Sequence, residues 1–280
     1  MGLRINTNVP SLIAQRNLSN NRDFLDSTLS KLSSGSRINR AGDDAAGLAI
    51  SESMRAQIRG LGQAQRNAQD GISLVQVAEG ALSEVSNILI RLRELSVQAS
   101  SDTVGDRERG FINVEFQHLL EEIDRIAHST EFNGVPLLNG SGSTFEVQIG
   151  TGNNPLIDRI KLFDSYGADI NIVALGLNLT SAEDKQAAQN SLAAIDSAIK
   201  SVTAIRAEFG AMQNRLDAVV RNLMVSRENL SSANSRIRDA DIAEESSNLA
   251  KAQILMQSGT AVLSQANSSI KVAMQLLNGG

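Results

Sequence analysis

Residues 195–237 read IDSAIKSVTAIRAEFGAMQNRLDAVVRNLMVSRENLSSANSRI, and every seventh residue of this stretch is apolar. The members of the stripe are Ile195, Val202, Phe209, Leu216, Leu223, Leu230 and Ile237. An apolar residue repeated every seven positions is typical of a coiled coil, because the repeat keeps one stripe facing a partner helix. The stretch therefore predicts one long helix that packs against other helices.

The same stride resumes after a break and continues to the end of the chain. Its members are Ile242, Leu249, Met256, Leu263, Ile270 and Leu277, and the positions three further on are mostly small. The step from Ile237 to Ile242 is five residues instead of seven, so the stripe changes face at 238–241. Such a phase break predicts a joint between two helices.

Three further helices are predicted in the first half of the chain. A short terminal stripe consists of Leu18, Leu25 and Leu32. A longer helix follows, with Val75, Ala78, Leu82, Val85, Leu89 and Leu92 at steps of three and four. A turn at 100–103 precedes a third helix, which Asp106 could cap and which carries Ile112, Phe116, Leu119, Ile123 and Ile126 on one face.

Only the middle of the chain has β character. Seven of the 21 glycines and two of the three prolines lie between 134 and 176. Short β-like runs occur at 145–149, 160–163 and 170–172. These features predict one or two hairpins at a distal tip.

Composition agrees with this mainly α fold. Aromatic residues are 3% of the chain, a low value for a large mixed core but adequate for seams of Leu, Ile, Val and Ala between helices. We expect long antiparallel helices that form a coiled-coil rod folded back on itself, with a small β-hairpin region at the distal tip. The expected domains are a terminal coiled coil (1–34 with 238–280), a linker (35–43) and a core rod (44–237) with its tip at about 134–180.

Several function classes are disfavoured by composition. The absence of Cys removes disulfides, thiolate metal sites and Cys nucleophiles. A net charge of −5 argues against a nucleic-acid-binding protein, and no apolar run approaches the ~20 residues of a membrane span. The first ten residues lack the apolar stretch of a secretory signal, so we expect no cleavable export signal.

No catalytic, cofactor or metal constellation is evident in the sequence. His118 and His128 are ten residues apart, and His118 with Glu121 is better explained by a solvated helix face. The glycine-rich stretch 150–155 lacks the Lys-Ser/Thr of a P-loop. The pair Asp43 and Asp44 is more typical of a helix cap than of a metal site. We expect a protein that is not an enzyme and has no cofactor.

The terminal segments predict self-assembly. A helix with one narrow apolar stripe buries too little surface to offset its conformational entropy alone. Segments 3–33 and 240–278 should therefore pair with each other and require neighbouring copies of the chain. The residues predicted to carry polymerisation are those of the two terminal stripes, Leu18, Leu25, Leu32, Ile242, Leu249, Met256, Leu263, Ile270 and Leu277.

Residues 32–51, LSSGSRINRAGDDAAGLAIS, closely resemble the amino-terminal signature of bacterial flagellin. Shorter matches lie at 5–8 (INTN), 93–99 (RELSVQA), 235–241 (SRIRDAD) and 263–267 (LSQAN), and the resemblance covers roughly 1–140 and 185–280. Flagellins usually carry a large variable outer region between their ends. Only about 45 residues are available here, so the chain resembles a short form without outer domains.

The resemblance implies a structural subunit that assembles into the helical flagellar filament, a propeller for motility. A hook–filament junction protein, which shares terminal features with flagellin, is the alternative. The implied partners are other copies of the chain, the flagellar export chaperone, and the filament cap and hook-junction proteins. The implied location is outside the cell, reached by flagellar type III export.

The resemblance also implies a patch read by a vertebrate Toll-like receptor of innate immunity. The matching residues are Arg91 and Leu95, which share a helix face, and Glu115 on the next helix. Arg could fork onto a receptor carboxylate and Leu could fill a pocket. The alternative is that Leu95 flanks the core while Arg91 and Glu115 form a solvated ion pair.

Overall fold

A computed structural model of the chain describes residues 7–140, 144–164, 169–178 and 180–278, without the side chains of 163, 164 and 270–278. Five helices lie in it, α1 (Val9–Ser34), α2 (Ala45–Ala99), α3 (Asp106–Ser129), α4 (Lys185–Arg238) and α5 (Ile242–Asn278). Four short strands separate α3 from α4, namely β1 (Glu131–Phe132), β2 (Val135–Pro136), β3 (Thr144–Gln148) and β4 (Arg159–Asp164). The mainly α fold predicted from the heptads is confirmed.

Contacts divide the chain into two compact units. Unit 1 comprises Met1–Ala56 with Asn229–Gly280, and unit 2 comprises Gln57–Glu228. Both boundaries fall inside the long helices α2 and α4, whereas the sequence suggested boundaries around a linker at 35–43. The predicted functional division into a terminal domain (1–34 with 238–280) and a core rod (44–237) stays a prediction.

Unit 1 is built on the antiparallel pair of α1 and α5. Asn8 caps α1, since its side-chain oxygen accepts a hydrogen bond from the Ser11 amide at 3.1 Å. The helix ends at Gly35, whose φ of +66° is a left-handed conformation that favours glycine. The joint predicted at 238–241 is confirmed, because α4 ends at Arg238 and Asp241 accepts amide hydrogen bonds from the first turn of α5.

Unit 2 contains α3, the part of α2 from Gln57 onward and the part of α4 up to Glu228. The ion pair between Arg91 and Glu115 (2.9 Å) joins α2 to α3, and that between Arg93 and Asp196 (2.8 Å) joins α2 to α4. The predicted stripe of α2 is confirmed, because its six residues from Val75 to Leu92 are all fully buried. The α4 stripe is buried from Ile195 to Leu223, and Phe116 and Ile123 supply the contribution of α3.

A buried arginine secures the turn between α2 and α3. Arg109 is only 8% exposed, and its guanidinium donates to the carbonyls of Ala99 (2.9 Å) and Ser101 (3.0 Å) and to the carboxylate of Asp106 (2.7 Å). The bond to Ala99 satisfies a carbonyl that the end of α2 leaves without an intrahelical partner. Asp106 was predicted to cap α3 but lies inside it, following Gly105 at the cap.

Two antiparallel hairpins account for the β character. In the first, Phe132 pairs with Val135, and the turn residues Asn133 (φ +52°) and Gly134 (φ +76°) are both left-handed, as a type I′ turn requires. In the second, β3 pairs with β4, with a bulge between Phe145 and Glu146. Residues 170–172 form no strand but belong to a turn region, which corrects the third β-like run.

The larger hairpin packs against the helices of unit 2, and its place at a distal tip stays a prediction. The Asn67 side-chain amide of α2 donates to the Gln148 carbonyl at 3.0 Å. On the hairpin's inner face, Ile160 and Leu162 are 2% and 0% exposed. A two-stranded hairpin is marginally stable alone, so its apolar face packs on α2 and α4 instead of projecting into water.

Candidate assembly surfaces

Small residues lie buried in the seam between α1 and α5. Ala252 is fully buried and Ala14 is 7% exposed. At Gly259, a Cβ atom would lie 3.1 Å from a methyl group of Leu18, so the two helices approach tightly there. Ala252 and Gly259, which follow the stripe residues Leu249 and Met256 by three positions, therefore allow α5 to pack closely against α1.

The larger stripe residues are only partly covered within one chain. Leu18, Leu25, Leu32, Leu249, Met256 and Leu263 are half-buried, and Ile242 is 54% exposed. The side chains of Ile270 and Leu277 lie outside the described residues. The assignment of polymerisation to these nine residues stays a prediction. The seam inside one chain leaves part of the apolar surface of the seven described side chains accessible.

Polar contacts set the register of the pair. The Asn8 side-chain amide donates to the Ala266 carbonyl at 3.1 Å, and the Ser11 hydroxyl donates to the Asn267 side-chain oxygen at 2.9 Å. Near the other end, Lys31 pairs with Glu245, which is 9% exposed, at 3.3 Å. A polar contact in an otherwise apolar seam favours one register, because any slip would leave its groups unpaired.

Apolar side chains also point away from the seam. On α1, Leu12 is 56% exposed and Ile13 46%; on α5, Ile254 is 62% exposed and Val262 58%. Scattered exposed apolar residues are ordinary, but a pair of helices that shows them on several faces is not. These four side chains are apolar surface that the single chain leaves uncovered.

The loop before α2 is held by a carboxylate. The backbone amides of Arg40 (2.9 Å) and Asn39 (3.0 Å) donate to Asp43 and hold the pKa of that carboxyl below its usual range. Asp44 accepts from the Gly47 amide at 2.8 Å, which is a helix-capping contact. Asp44 therefore caps α2, whereas Asp43 binds amides of the preceding loop and not those of the helix.

The three residues of the predicted receptor patch differ in exposure. Arg91 and Glu115 form an ion pair, and each side chain is 49% exposed. Hydrogen bonds to Glu115, and to a smaller extent to Glu94, raise the pKa of the Arg91 guanidinium above its ordinary value. Leu95 is 1% exposed and belongs to the core of unit 2. A pocket-filling role for Leu95 does not fit this burial, and recognition of the patch by a receptor stays a prediction.

Other groups singled out in the sequence have structural roles. His118 lies 3.4 Å from Glu121 on an exposed helix face, and the His128 ring donates from Nδ1 to the Asp124 carbonyl at 2.9 Å. Among the described residues, no group of three or more His, Asp or Glu side chains could hold a metal ion. In the same part of the chain, no helix is long and apolar enough to cross a membrane.

Comparison with known proteins decides the family. The model of the bacterial flagellin N-terminal helical region matches residues 5–143, and that of the C-terminal helical region matches residues 192–277. The chain belongs to the bacterial flagellin family. The two matches cover most of the long helices. They leave out segment 144–191, which contains the larger hairpin.

Full-length relatives share this short form of flagellin. The flagellin of Halalkalibacterium halodurans is 47% identical over 273 residues, which are 98% of this chain and 99% of the relative. The flagellar filament 33 kDa core protein of Treponema phagedenis and the flagellin of Bacillus subtilis are each 42% identical, again over 98% of this chain and at least 99% of the relative. The chain therefore corresponds to a flagellin without outer domains.

Two solved structures resemble the fold. The crystal structure of Bacillus cereus flagellin has a TM-score of 0.50 and 33% identity, and covers 56% of this chain and 88% of that one. The structure of a putative flagellar hook-associated protein from Vibrio parahaemolyticus has a TM-score of 0.56 and covers 70% of this chain and all of that one. At 15% identity, the second likeness shows the fold alone.

Proposed function

We propose that this flagellin is a structural subunit of the flagellar filament and that its terminal helices carry the contacts between copies. The observation that carries the proposal is the α1–α5 pair, whose seam is closed by small residues while larger apolar side chains remain outside it. Full-length similarity to flagellins and flagellar filament core proteins supports it.

The physical argument is one of uncovered apolar surface. Burying apolar surface contributes about 25 cal/mol per Å², and Leu12, Ile13, Ile254 and Val262 are each about half exposed in one chain. Other copies that present the same two helices can cover these side chains. Repetition of that contact stabilises the terminal pair beyond what its own narrow seam provides.

The proposed role is mechanical, and the protein acts as a building unit and not as an enzyme. We place the assembled protein outside the cell, exported through the flagellar type III apparatus. Its proposed partners on that route are an export chaperone, which would cover the exposed apolar side chains of α5 before assembly, and the hook-junction and cap proteins. Family membership supports each of these partners.

A hook–filament junction protein is the alternative. Junction proteins would share the terminal helices, and the likeness to a hook-associated protein extends over 70% of the chain. However, that likeness is at 15% identity, whereas relatives named as flagellins or filament core proteins reach 40–47% over almost the full length. The filament subunit is therefore the preferred function.

The test is assembly of the purified chain. We expect the full-length chain to form long filaments under salting-out conditions, seen by electron microscopy and recovered by sedimentation. A truncated chain without 240–280 is the matched control, and it should remain helical by circular dichroism but stay in the supernatant. Filaments from the truncated chain, or only short capped assemblies from the full-length one, would contradict the proposal.

We also propose that the exposed ion pair of unit 2 is recognised by a Toll-like receptor. Arg91 and Glu115 lie side by side and half exposed, so a receptor could compete for either charge. Leu95 supports the patch only from the core, by holding the helix face that presents Arg91.

Receptor-reporter cells treated with monomeric protein provide the measurement. We expect Arg91→Ala and Glu115→Ala each to lower the signal at least about tenfold, the usual cost of losing a charged hot-spot contact. Arg125→Ala is the matched control, since Arg125 is exposed on α3 and pairs only with its own neighbour Glu122. Signals equal to that of the unchanged protein from both patch variants would reject the assignment.

A further inference from the structure

The turn of the smaller hairpin holds an asparagine in a left-handed conformation. Asn133 has a φ of +52° and is, among the described residues, the one non-glycine residue with a positive φ. Gly134 follows with a φ of +76°, and both residues are exposed. A type I′ turn requires this conformation at both positions, which favours Asn followed by Gly. The fold therefore places an Asn-Gly pair on an exposed turn.

An Asn-Gly pair is chemically labile. The backbone nitrogen that follows Asn attacks the Asn side-chain amide, and a following glycine has no side chain to hinder the approach. The chain contains three such pairs, at 133–134, 139–140 and 278–279. The side chain of Asn278 lies outside the described residues, so the structure compares the first two pairs. By sequence alone these two are equivalent.

The fold restrains the pair at 139–140. Leu138 is fully buried, and its carbonyl accepts a hydrogen bond from the Ile170 amide at 3.1 Å. Gly140 lies so close to the Asp169 carboxylate that a Cβ atom on this glycine would collide with it. Both neighbours of Asn139 are therefore held by residues 169–170.

The pair at 133–134 is held only by a very short hairpin. Its strands form two residue pairs, Glu131 with Pro136 and Phe132 with Val135. A ladder this short opens easily, because few hydrogen bonds must break. Attack by the Gly134 nitrogen requires rotation of the main chain that the closed type I′ turn fixes. The reaction therefore proceeds when the hairpin opens, and the ease of opening sets its rate.

We propose that Asn133 is a site of spontaneous deamidation and that it reacts ahead of Asn139 in the folded chain. The chain itself supplies the nucleophile, and water is the co-reactant. The order of reaction follows from the fold, since a short exposed hairpin opens more readily than a segment that is tied to the core on both sides. The proposal does not depend on the proposed filament function.

The reaction balances without an oxidant or a reductant. The Gly134 backbone nitrogen bonds to the Asn133 side-chain carbon, and the side-chain amide group leaves as ammonia with the proton of that nitrogen. A succinimide ring then joins the two residues. Water opens the ring at either carbonyl carbon. Opening at the side-chain carbon gives Asp, and opening at the main-chain carbon gives isoaspartate, whose main chain runs through the former side chain.

The two products differ in their effect on the hairpin. Asp-Gly also suits a type I′ turn, so the Asp product keeps the pairing and adds a negative charge near Glu131. Isoaspartate adds one atom to the main chain of a two-residue loop, whose length fixes the register. Phe132 packs against the core of unit 2, and the Leu137 amide donates to the Thr130 carbonyl at 3.0 Å. Isoaspartate therefore loosens a segment that continues into the core.

Ageing of the full-length chain tests the order of reaction. The folded protein is incubated in mildly alkaline buffer and sampled over time, and fragment ions in mass spectrometry locate each exchange of an amide for an acid. We expect Asn133 to react at least about tenfold faster than Asn139, because opening the short hairpin costs less free energy than opening the core beside Asn139. In urea, where both pairs are unfolded, the two rates should converge.

Asn133→Asp is the matched control, since it removes the reactive amide and carries the Asp product from the start. This variant should show no exchange at position 133, and its urea midpoint should equal that of the unaged protein. Equal rates at Asn133 and Asn139 in the folded chain would overturn the proposal. So would an Asn133 that reacts in urea and stays intact in the folded chain.

Pulse proteolysis of the aged protein in urea separates the two products by stability. Isoaspartate, detected with an isoaspartate-specific methyltransferase, should be enriched at least about threefold in the cleaved fraction, the effect of a small loss of stability near the midpoint. The Asp product should remain in the surviving fraction with the unmodified chain. An even distribution of isoaspartate between the fractions would contradict its assigned effect on the hairpin.

Discussion

Replacing Val262 with Asp is expected to abolish filament assembly while the helix content of the monomer stays unchanged. Val262 is 58% exposed on α5, so a carboxylate there remains solvated in the single chain. In the filament, the same carboxylate would be buried without a partner at every copy. That burial costs about 3 kcal/mol, which corresponds to a roughly hundredfold rise in the critical concentration.

Two neighbouring positions make the experiment specific. Ser264→Asp introduces the same charge at an exposed polar position two residues away and should assemble nearly as the wild type does. Leu263→Asp changes a half-buried residue of the terminal stripe and should lower the helix content of the monomer as well as its assembly. Sedimentation and circular dichroism separate the three cases. Normal assembly of Val262→Asp would show that this face of α5 remains in water in the filament.

Replacing Arg109 with Ala is expected to lower the free energy of unfolding by about 2 to 3 kcal/mol, because hydrogen bonds from a charged group are lost. The change would leave the carbonyls of Ala99 and Ser101 without the guanidinium that joins α2 to α3. Arg109→Lys should recover only part of this stability, since an ammonium group cannot reproduce the planar fork.

Urea unfolding followed by circular dichroism measures the effect. Arg107→Ala is the matched control, because Arg107 is exposed two residues earlier on the same helix. We expect the unfolding midpoint of the control to stay within error of the wild type. Equal midpoints for Arg107→Ala and Arg109→Ala would show that the α2–α3 turn does not depend on this side chain.

The periodic part of the fold could be predicted from the sequence. The α4 stripe from Ile195 to Leu223 is buried as the heptads indicate, and the break at 238–241 separates two helices. This worked because a long helix with one apolar face has a single way to bury that face. The hairpin run at 145–149 was predictable from its alternation, which marks a half-covered strand, and the run at 160–163 from its mostly apolar content.

The candidate surfaces were only partly predictable. Leu95 and Leu92 look alike in the sequence, and the pattern could not decide whether Leu95 meets the core or a partner; the structure buries it. Ile242 has the heptad phase of the terminal stripe, yet it lies at the start of α5 and is exposed. Arg109 was not singled out in the sequence, because its burial depends on carbonyls that only the folded α2–α3 turn brings within reach.

The sequence by itself determined the buried stripes of α2 and α4, the joint before α5 and the family, because periodicity and long motifs are local properties. The tertiary structure alone decided how much of each face is covered. It placed the larger hairpin beside α2, brought small residues into the terminal seam, and left Leu156 and Ile157 in solvent. The physical reason is that covering a side chain requires a neighbour from a distant part of the chain, and sequence periodicity carries no record of which neighbour that is.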